Sequence, residues 1–120
     1  MTTKNQVQQF LKDFKQKLDV FSIIYLDRDK NRNALLKLGI TELQRLENIK
    51  SLKPENFHSG PNKDTNDPNM PEYWEFGKMV NDKEVYIKIN MGTRNNPVIC
   101  MSFHIAEHKI SYPFNRIVKL

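Results

Sequence analysis

Polar side chains alternate with apolar ones along three successive segments in the second half of the chain. If these segments form neighbouring strands, one sheet face presents Glu75, Tyr86, Lys88, Ser102 and His104 together. RNA can be cut without a metal when its own 2′-hydroxyl attacks the phosphate, a reaction that needs a base, an acid and a cation beside the charged phosphorane. The predicted face supplies all of these, since Glu or His can move protons and Lys can contact phosphate.

The predicted strands lie near residues 72–80, 84–91 and 97–104 and form an antiparallel sheet. A two-residue type I′ turn at Asn81 and Asp82 places Glu75 directly across from Lys88. This register also pairs apolar side chains on the core face: Phe76 with Ile87, and Trp74 with Ile89.

The last predicted strand alternates in the same way. Its core-facing side chains are expected to be Ile99, Met101 and Phe103. Its polar face is expected to carry Cys100, Ser102 and His104, which brings His104 beside Tyr86 and Ser102 beside Lys88.

Two other functions fit parts of this pattern. Antiparallel sheets commonly have one solvated polar face, so the alternative is a non-catalytic RNA- or protein-binding module such as an antitoxin, immunity protein or regulator. Cys100, His104 and His108 are spaced by four residues, which on one helix would suggest a metal site. The segment has strand character and lacks a close ligand pair, so neither a metal nor another cofactor is predicted.

Helical periodicity dominates the first part of the chain. Apolar residues at helical spacing predict an amphipathic helix over 5–18, and the dense apolar run Val20–Leu26 predicts a strand. Asp29 is the expected cap of a second helix, which carries Ala34–Leu38 and ends at Gly39.

A third helix is predicted from a capping-box pattern formed by Thr41 and Gln44. Its inward-pointing residues are expected to be Leu43, Leu46 and Ile49. Pro54 begins a short turn that ends near Phe57.

The chain is expected to form one α+β domain over residues 1–120, with N-terminal helices packed on an antiparallel sheet. Residues 1–57 are mainly helical and residues 72–104 form the sheet. Between them, 58–71 is rich in Gly, Pro, Asn and Asp and is predicted to be a functional or mobile loop. Residues 105–120 form a C-terminal extension, in which Tyr112–Phe114 is expected to dock on the core.

Composition favours a cytoplasmic protein with a polyanionic partner. Nineteen basic residues oppose fourteen acidic ones, a net charge of +5 that attracts phosphate backbones. The single cysteine excludes an intrachain disulfide, which suits a reducing compartment. The longest apolar run is too short to span a bilayer and no secretory signal is visible, so no membrane partner is expected.

Several short motifs resemble MqsR-type toxins. The strand Glu84–Ile89 and the later Cys100–His104 are similar to the family's Val-Tyr-Leu-Lys-Ile strand and its second strand ending in Ser-Phe-Lys. Upstream motifs keep the family's order: Ala34-Leu35-Leu36 with Leu38-Gly39, Phe57-His58-Ser59 and Trp74-Glu75. The likeness covers roughly residues 7–104.

These toxins are the mRNA-cleaving halves of bacterial toxin–antitoxin pairs, with a fold related to RelE-type interferases. The resemblance therefore implies a RelE/MqsR-like fold and metal-independent endoribonuclease activity on mRNA. It also implies a cognate antitoxin as partner, with the ribosome as a further partner to test.

Residue by residue, the resemblance makes Tyr86 the catalytic tyrosine and Lys88 the lysine of the same strand. Glu75 lies where the family has a functional glutamine. His104 replaces a catalytic lysine and His58 replaces a tyrosine, whereas a lysine that the family has near Ser59 is absent here.

These matches assign expected roles. His104 is the expected general acid, with Glu75 or His58 as the base. Lys88 and Ser102 are expected to bind phosphate, and Tyr86 to orient the substrate or donate a hydrogen bond.

Overall fold

The first helix forms where apolar residues repeat at helical spacing. In the computed structural model, which describes residues 1–115, helix α1 spans Lys4–Phe21. It begins with a capping box, because the Thr3 side chain accepts from the Gln6 N–H and the Gln6 side chain accepts from the Thr3 N–H. The apolar stripe that it buries in the core consists of Val7, Phe10, Leu11, Phe14 and Leu18.

The predicted boundary between this helix and the strand at 20–26 is wrong. Val20 and Phe21 belong to α1, because the helical hydrogen bonds continue until the Ser22 N–H donates to the Leu18 carbonyl. Ser22 ends the helix with a φ of 71°, and strand β1 is only Ile23–Tyr25.

The predicted second helix is broken into two short ones, α2 (Asp29–Arg32) and α3 (Ala34–Leu38). The backbone of Asn33 departs from helical geometry between them, and Asp29 lies in the first turn of α2 instead of capping it. Gly39 ends α3 in the left-handed conformation, with a φ of 69°, as predicted.

Helix α4 spans Glu42–Lys50 and begins with the predicted capping box of Thr41 and Gln44. Ile49 is fully buried, but Leu43 is 64% exposed, so its predicted inward position is wrong. Six residues separate the two, which turns Leu43 about 120° away from the buried direction. Within residues 1–115, none of the helices has the length and apolar character needed to cross a membrane.

A 3₁₀ turn at Pro54–Asn56 leads into the remaining strands: β2 (Phe57–Asn62), β3 (Tyr73–Val80), β4 (Lys83–Asn90) and β5 (Val98–Ile105). Five strands form one sheet in the order β1-β5-β4-β3-β2. The pairs from β2 to β5 are antiparallel, whereas β1 lies parallel to β5. The predicted α+β class is confirmed. The sheet is mixed rather than wholly antiparallel, because β1, which follows α1, pairs in parallel with the outer edge of β5.

The register of the β3–β4 hairpin is confirmed. Asn81 and Asp82 form its turn with φ values of 48° and 67°, and Glu75 lies opposite Lys88. The core face carries the predicted pairs, Phe76 with Ile87 and Trp74 with Ile89.

A bulge in β5 changes which side chains face the core. Ser102 pairs with Lys88, but Cys100 rather than Met101 pairs with the next residue of β4, so Met101 is the extra residue. Cys100 therefore joins the core cluster, whereas Ile99 and Met101 are buried outside it. The predicted faces of these three residues are wrong, while Phe103 lies in the core as expected.

The first part of the predicted loop 58–71 is a strand. Residues 57–62 form β2, which pairs with β3 through two shifts of register. Pro61 is tolerated because β2 is an edge strand, where one side of the backbone needs no partner. Residues 63–72 contain no helix or strand.

The C-terminal extension, predicted to begin at residue 105, begins at residue 106, because Ile105 still belongs to β5. Residues 106–115, here called the C-terminal segment, cross the sheet, and residues 116–120 of the extension lie outside the described part of the chain. The ring of Phe114 stacks on that of Phe57 with centroids 5.5 Å apart, which confirms the predicted docking on the core.

Candidate functional site

The sheet brings the predicted polar residues together on one face. Glu75, Lys88 and Ser102 lie side by side on β3, β4 and β5, and Tyr86 pairs with His104. The Tyr86 and His104 rings are 5.4 Å apart between centroids. The predicted juxtaposition is confirmed, whereas the roles of these residues stay predictions.

This face is the floor of a cleft of about 610 Å³. His58, at the start of β2, also lines it, so every residue assigned a role from the sequence borders one cavity. One wall is the turn into α2 with Arg28 and Asn31, and the other is the C-terminal segment with Ile110. A concave site with convergent polar groups is the usual form of a binding or catalytic site.

The α2 wall was not predicted from the sequence. Asn31 fixes it to β5, because its side-chain amide donates to the Met101 carbonyl at 3.0 Å and accepts from the Phe103 N–H at 3.1 Å. A third bond, from the same amide to the Leu26 carbonyl, closes the turn that carries Arg28. The sequence did not predict this wall because its position depends on the parallel pairing of β1 with β5. That pairing joins distant segments and has no signature in the residues around Arg28.

The C-terminal wall is held by Glu84 and made possible by Gly77. The Tyr112 hydroxyl donates to the Glu84 carboxylate at 2.7 Å, and the Ile110 N–H approaches the same carboxylate at 3.4 Å. A Cβ on Gly77 would lie 2.6 Å from the Tyr112 hydroxyl oxygen and 2.7 Å from Cδ1 of Ile110. A side chain on residue 77 would displace the Tyr112 and Ile110 side chains from the positions in which they cover β3.

Glu75 and Tyr86 are hydrogen-bonded on the floor. The Tyr86 hydroxyl donates to Oε2 of Glu75, and the Asn62 amide approaches Oε1 at 3.4 Å. Burial raises the pKa of Tyr86 above its ordinary value, and the hydrogen bond and charge of Glu75 raise it further. Tyr86 is therefore a neutral hydrogen-bond donor at physiological pH rather than a base.

Both histidines of the site have one ring nitrogen held by a backbone carbonyl. Nδ1 of His104 lies 3.0 Å from the Ile105 oxygen, and Nδ1 of His58 lies 2.9 Å from the Ser111 oxygen. A carbonyl oxygen only accepts, so these contacts are hydrogen bonds in the tautomer that carries the proton on Nδ1, and the Ser111 hydroxyl, 3.3 Å from Nδ1 of His58, then acts as a second acceptor. In the neutral form Nε2 is then the basic atom, and in the cationic form it is a donor, which suits either direction of proton transfer.

Lys88 is half-buried, and its Nζ lies 4.5 Å from the centroid of the Tyr73 ring. Burial lowers the pKa of Lys88 from its ordinary value, and the nearby charge of Arg28 lowers it further, whereas Glu75 acts in the opposite direction. The charged form of Lys88 is thus destabilised in the free protein, and a bound anion would stabilise it.

The proposed metal ligands do not converge. Cys100 points into the core, where burial raises the pKa of its thiol to about 12, and its Sγ lies 3.4 Å from the Ser102 carbonyl. His104 lies on the opposite face of the sheet, on the floor of the cleft. Among residues 1–115 no group of three His, Cys, Asp or Glu side chains is placed to hold a metal ion.

No protein-family model, curated protein or solved structure matches this chain. A functional proposal therefore depends on the chemistry of the cleft. Two imidazoles with available Nε2 atoms, a neutral phenol, a carboxylate and a half-buried ammonium border one cavity. These groups can move protons and stabilise a developing negative charge.

Proposed function

We propose that this chain is a metal-independent endoribonuclease: an mRNA interferase toxin with a RelE/MqsR-like fold, active in the bacterial cytoplasm and neutralised by a cognate antitoxin. The observation that carries the proposal is the convergence of His58, His104, Tyr86 and Lys88 on one cleft, with Nδ1 of each histidine held by a carbonyl. The motifs that resemble MqsR-type toxins supply its biological context, and the net charge of +5 suits an RNA substrate.

In the proposed reaction the 2′-hydroxyl of the substrate loses its proton to a base and its oxygen attacks the adjacent phosphorus. The bond to the 5′-oxygen breaks, and that oxygen takes a proton from Nε2 of His104. The products are a 2′,3′-cyclic phosphate and a free 5′-hydroxyl. Lys88 stabilises the charged phosphorane. The Tyr86 hydroxyl has one proton, which it donates to Glu75 in the free protein, so the hydroxyl turns from Glu75 to the phosphorane when the substrate is bound.

His58 is the better candidate for the base. Glu75 already accepts from Tyr86 through Oε2 and faces Asn62 through Oε1, so both of its oxygens have partners. Nδ1 of His58 is held by Ser111, which leaves Nε2 for the substrate. Glu75 then positions Tyr86, and Ser102 borders the phosphate from the neighbouring strand.

The test is cleavage of a single-stranded RNA by purified protein in excess EDTA. We expect cleavage to persist, the upstream product to end in a 2′,3′-cyclic phosphate, and a 2′-deoxy nucleotide at the scissile position to block cutting. His104→Gln should lower the rate by about 10²–10⁴-fold, the usual worth of an acid–base group. His108→Gln is the matched control, since His108 lies on the exposed rim of the same cleft.

An EDTA-sensitive activity that leaves a 3′-hydroxyl would overturn this mechanism. RNA binding without turnover, and unchanged in His104→Gln, would instead support the non-catalytic binding module.

A further inference from the structure

Arg28 and Lys88 border the same cleft, from the α2 wall and from the floor. Within residues 1–115 neither side chain takes part in an ion pair. Several surface lysines also lack an ion pair. Arg28 and Lys88 differ from them because carboxylates lie close by but are hydrogen-bonded to other groups.

The acidic residues on both sides of Arg28 are engaged elsewhere. Asp27 and Asp29 each accept a hydrogen bond from the Arg32 guanidinium, at 2.7 Å in both cases. Arg32 does not line the cleft, so it holds these two carboxylates without entering the site, although Asp29 itself borders the cavity.

The carboxylate opposite Lys88 is also engaged. Glu75 pairs with Lys88 across the strands, yet its oxygens bind the Tyr86 hydroxyl and face the Asn62 amide. The carboxylates on either side of Arg28 and the one opposite Lys88 are thus hydrogen-bonded to other partners. Within the described part of the chain, neither cation has a carboxylate ion-paired with it, although Asp29, Glu75 and Glu107 also border the cavity.

The two cations are close enough to influence each other. The charge of Arg28 contributes to the lowered pKa of Lys88, as expected for like charges facing one cavity. Asn31 holds the Arg28 turn rigidly against β5, so this repulsion is built into the fold. An anion that contacts both groups would relieve it.

We propose that Arg28 and Lys88 together form a binding site for one phosphate group. The guanidinium presents two parallel donors to the phosphate oxygens and the ammonium acts as a point charge. The site takes an oxyanion whether or not the chain cleaves RNA. Its assignment to a phosphodiester of single-stranded RNA rests on the proposed function.

The experiment is a titration with inorganic phosphate at constant ionic strength, followed through the backbone amide signals of β4. We expect saturable shifts near Lys88, and Arg28→Gln or Lys88→Gln should weaken binding about tenfold or more. Lys109→Gln is the matched control, because Lys109 is exposed, borders the same cleft and forms none of the ion pairs found within residues 1–115. It removes the same charge and should change the affinity little.

Arg32→Gln provides the sharper test. Removing this guanidinium frees Asp27 and Asp29 to neutralise Arg28, so phosphate binding should weaken although Arg32 does not line the cleft. Adding Asp27→Asn and Asp29→Asn to that variant should restore the affinity. Because the triple variant has two more positive charges than Arg32→Gln, the control makes the same charge changes away from the cleft: Lys50→Gln, and Lys50→Gln with Asp19→Asn and Asp13→Asn. Neither control variant should change phosphate binding as much as its counterpart at Arg32.

The outcomes separate this site from the proposed reaction. Phosphate binding that needs Arg28, in a protein that cleaves no RNA, would keep the site and remove the nuclease. Cleavage that is unaffected by Arg28→Gln, together with unchanged phosphate affinity, would overturn the site and keep the nuclease. Equal weakening in Lys109→Gln and Arg28→Gln would also overturn it, since net charge alone would then explain the binding.

Discussion

The Tyr86 hydroxyl donates a hydrogen bond to the Glu75 carboxylate across the β3–β4 pair, in the diagonal direction. The residue directly opposite Tyr86 is Gly77, which has no side chain, so the phenol can lean towards Glu75. Burial and this carboxylate raise the pKa of Tyr86, and the phenol therefore keeps its proton. The pair orients a neutral donor at the floor of the cleft, beside His104.

Tyr86→Phe should lower the cleavage rate by about 10²–10³-fold, the usual cost of losing one donor to a charged transition state. The ring and its packing on His104 remain, and the freed Glu75 carboxylate lies opposite Lys88, so the loss in the free energy of unfolding should be no more than about 1 kcal/mol. Single-turnover cleavage measures the first effect and urea unfolding the second. Tyr73→Phe is the control, since that ring lies beneath Lys88 and its loss of a hydroxyl should leave the rate unchanged. Equal rates in Tyr86→Phe and the parent protein would remove the phenol from the mechanism.

Lys88→Met should stabilise the folded protein at neutral pH while abolishing cleavage. The pKa of Lys88 is lowered by burial and by Arg28, so its charged form is less favourable in the folded than in the unfolded state. This cost is present below the folded pKa and disappears as the pH rises to the unfolded value, because the unfolded state binds more protons in that window. In phosphate-free buffer we expect Tm to rise by a few degrees.

Thermal unfolding at neutral pH and again near pH 10 checks this account. The gain from Lys88→Met should shrink at the higher pH, because the lowered pKa of Lys88 makes the folded parent protein lose this charge before the unfolded chain does. Lys83→Met removes a charge from an exposed position on the same strand and should leave Tm almost unchanged. A lower Tm for Lys88→Met at neutral pH would mean that its contact with Tyr73 outweighs the cost of burial.

The residues on the floor of the cleft could be predicted because the turn and the alternation that place them lie close together in the sequence. A two-residue turn at Asn81 and Asp82 fixes the hairpin register, and the period of two then assigns a face to each side chain. The predicted faces of β5 are correct from His104 back to Ser102. The assignment fails at Met101, where the bulge inserts a residue that alternation does not indicate.

The walls of the cleft could not be predicted because their positions depend on distant pairings. Arg28 reaches the site only because β1 pairs in parallel with β5, Ile23 with Val98. Strand β2 was predicted as a loop because it contains Gly60 and Pro61. An edge strand tolerates these residues, whereas a central strand does not. Both failures concern contacts between segments far apart in the chain, where propensity carries little information.

Expression of this chain without a partner should arrest the growth of a bacterial host. The reason is the proposed cleavage of mRNA, so His104→Gln produced at the same soluble level should allow growth. Growth curves with immunoblots of the soluble fraction measure both. Equal arrest by the two proteins would mean that toxicity does not come from the proposed acid, and growth with abundant parent protein would count against the toxin assignment.

Gly77→Ala should detach the C-terminal wall. The added Cβ would lie 2.6 Å from the Tyr112 hydroxyl and 2.7 Å from Cδ1 of Ile110, so both side chains must shift and the Tyr112 hydroxyl is pushed from its contact with Glu84. We expect the segment to move away from β3 as a result. Such overpacking typically costs about 1–3 kcal/mol in the free energy of unfolding. The segment also carries the Ser111 carbonyl that holds His58, so its movement should release that ring and slow cleavage.

Gly39→Ala is the control, because a Cβ there meets nothing within 4 Å and the cost comes only from the φ of +69°. That strain is worth about 1–2 kcal/mol, so both variants should lose stability to a similar extent. Only Gly77→Ala should speed amide exchange at Ile110, whose N–H faces the Glu84 carboxylate, and only Gly77→Ala should slow cleavage at equal folded fraction. Cleavage slowed equally by both substitutions would show that global stability, rather than the C-terminal wall and the orientation of His58, limits the reaction.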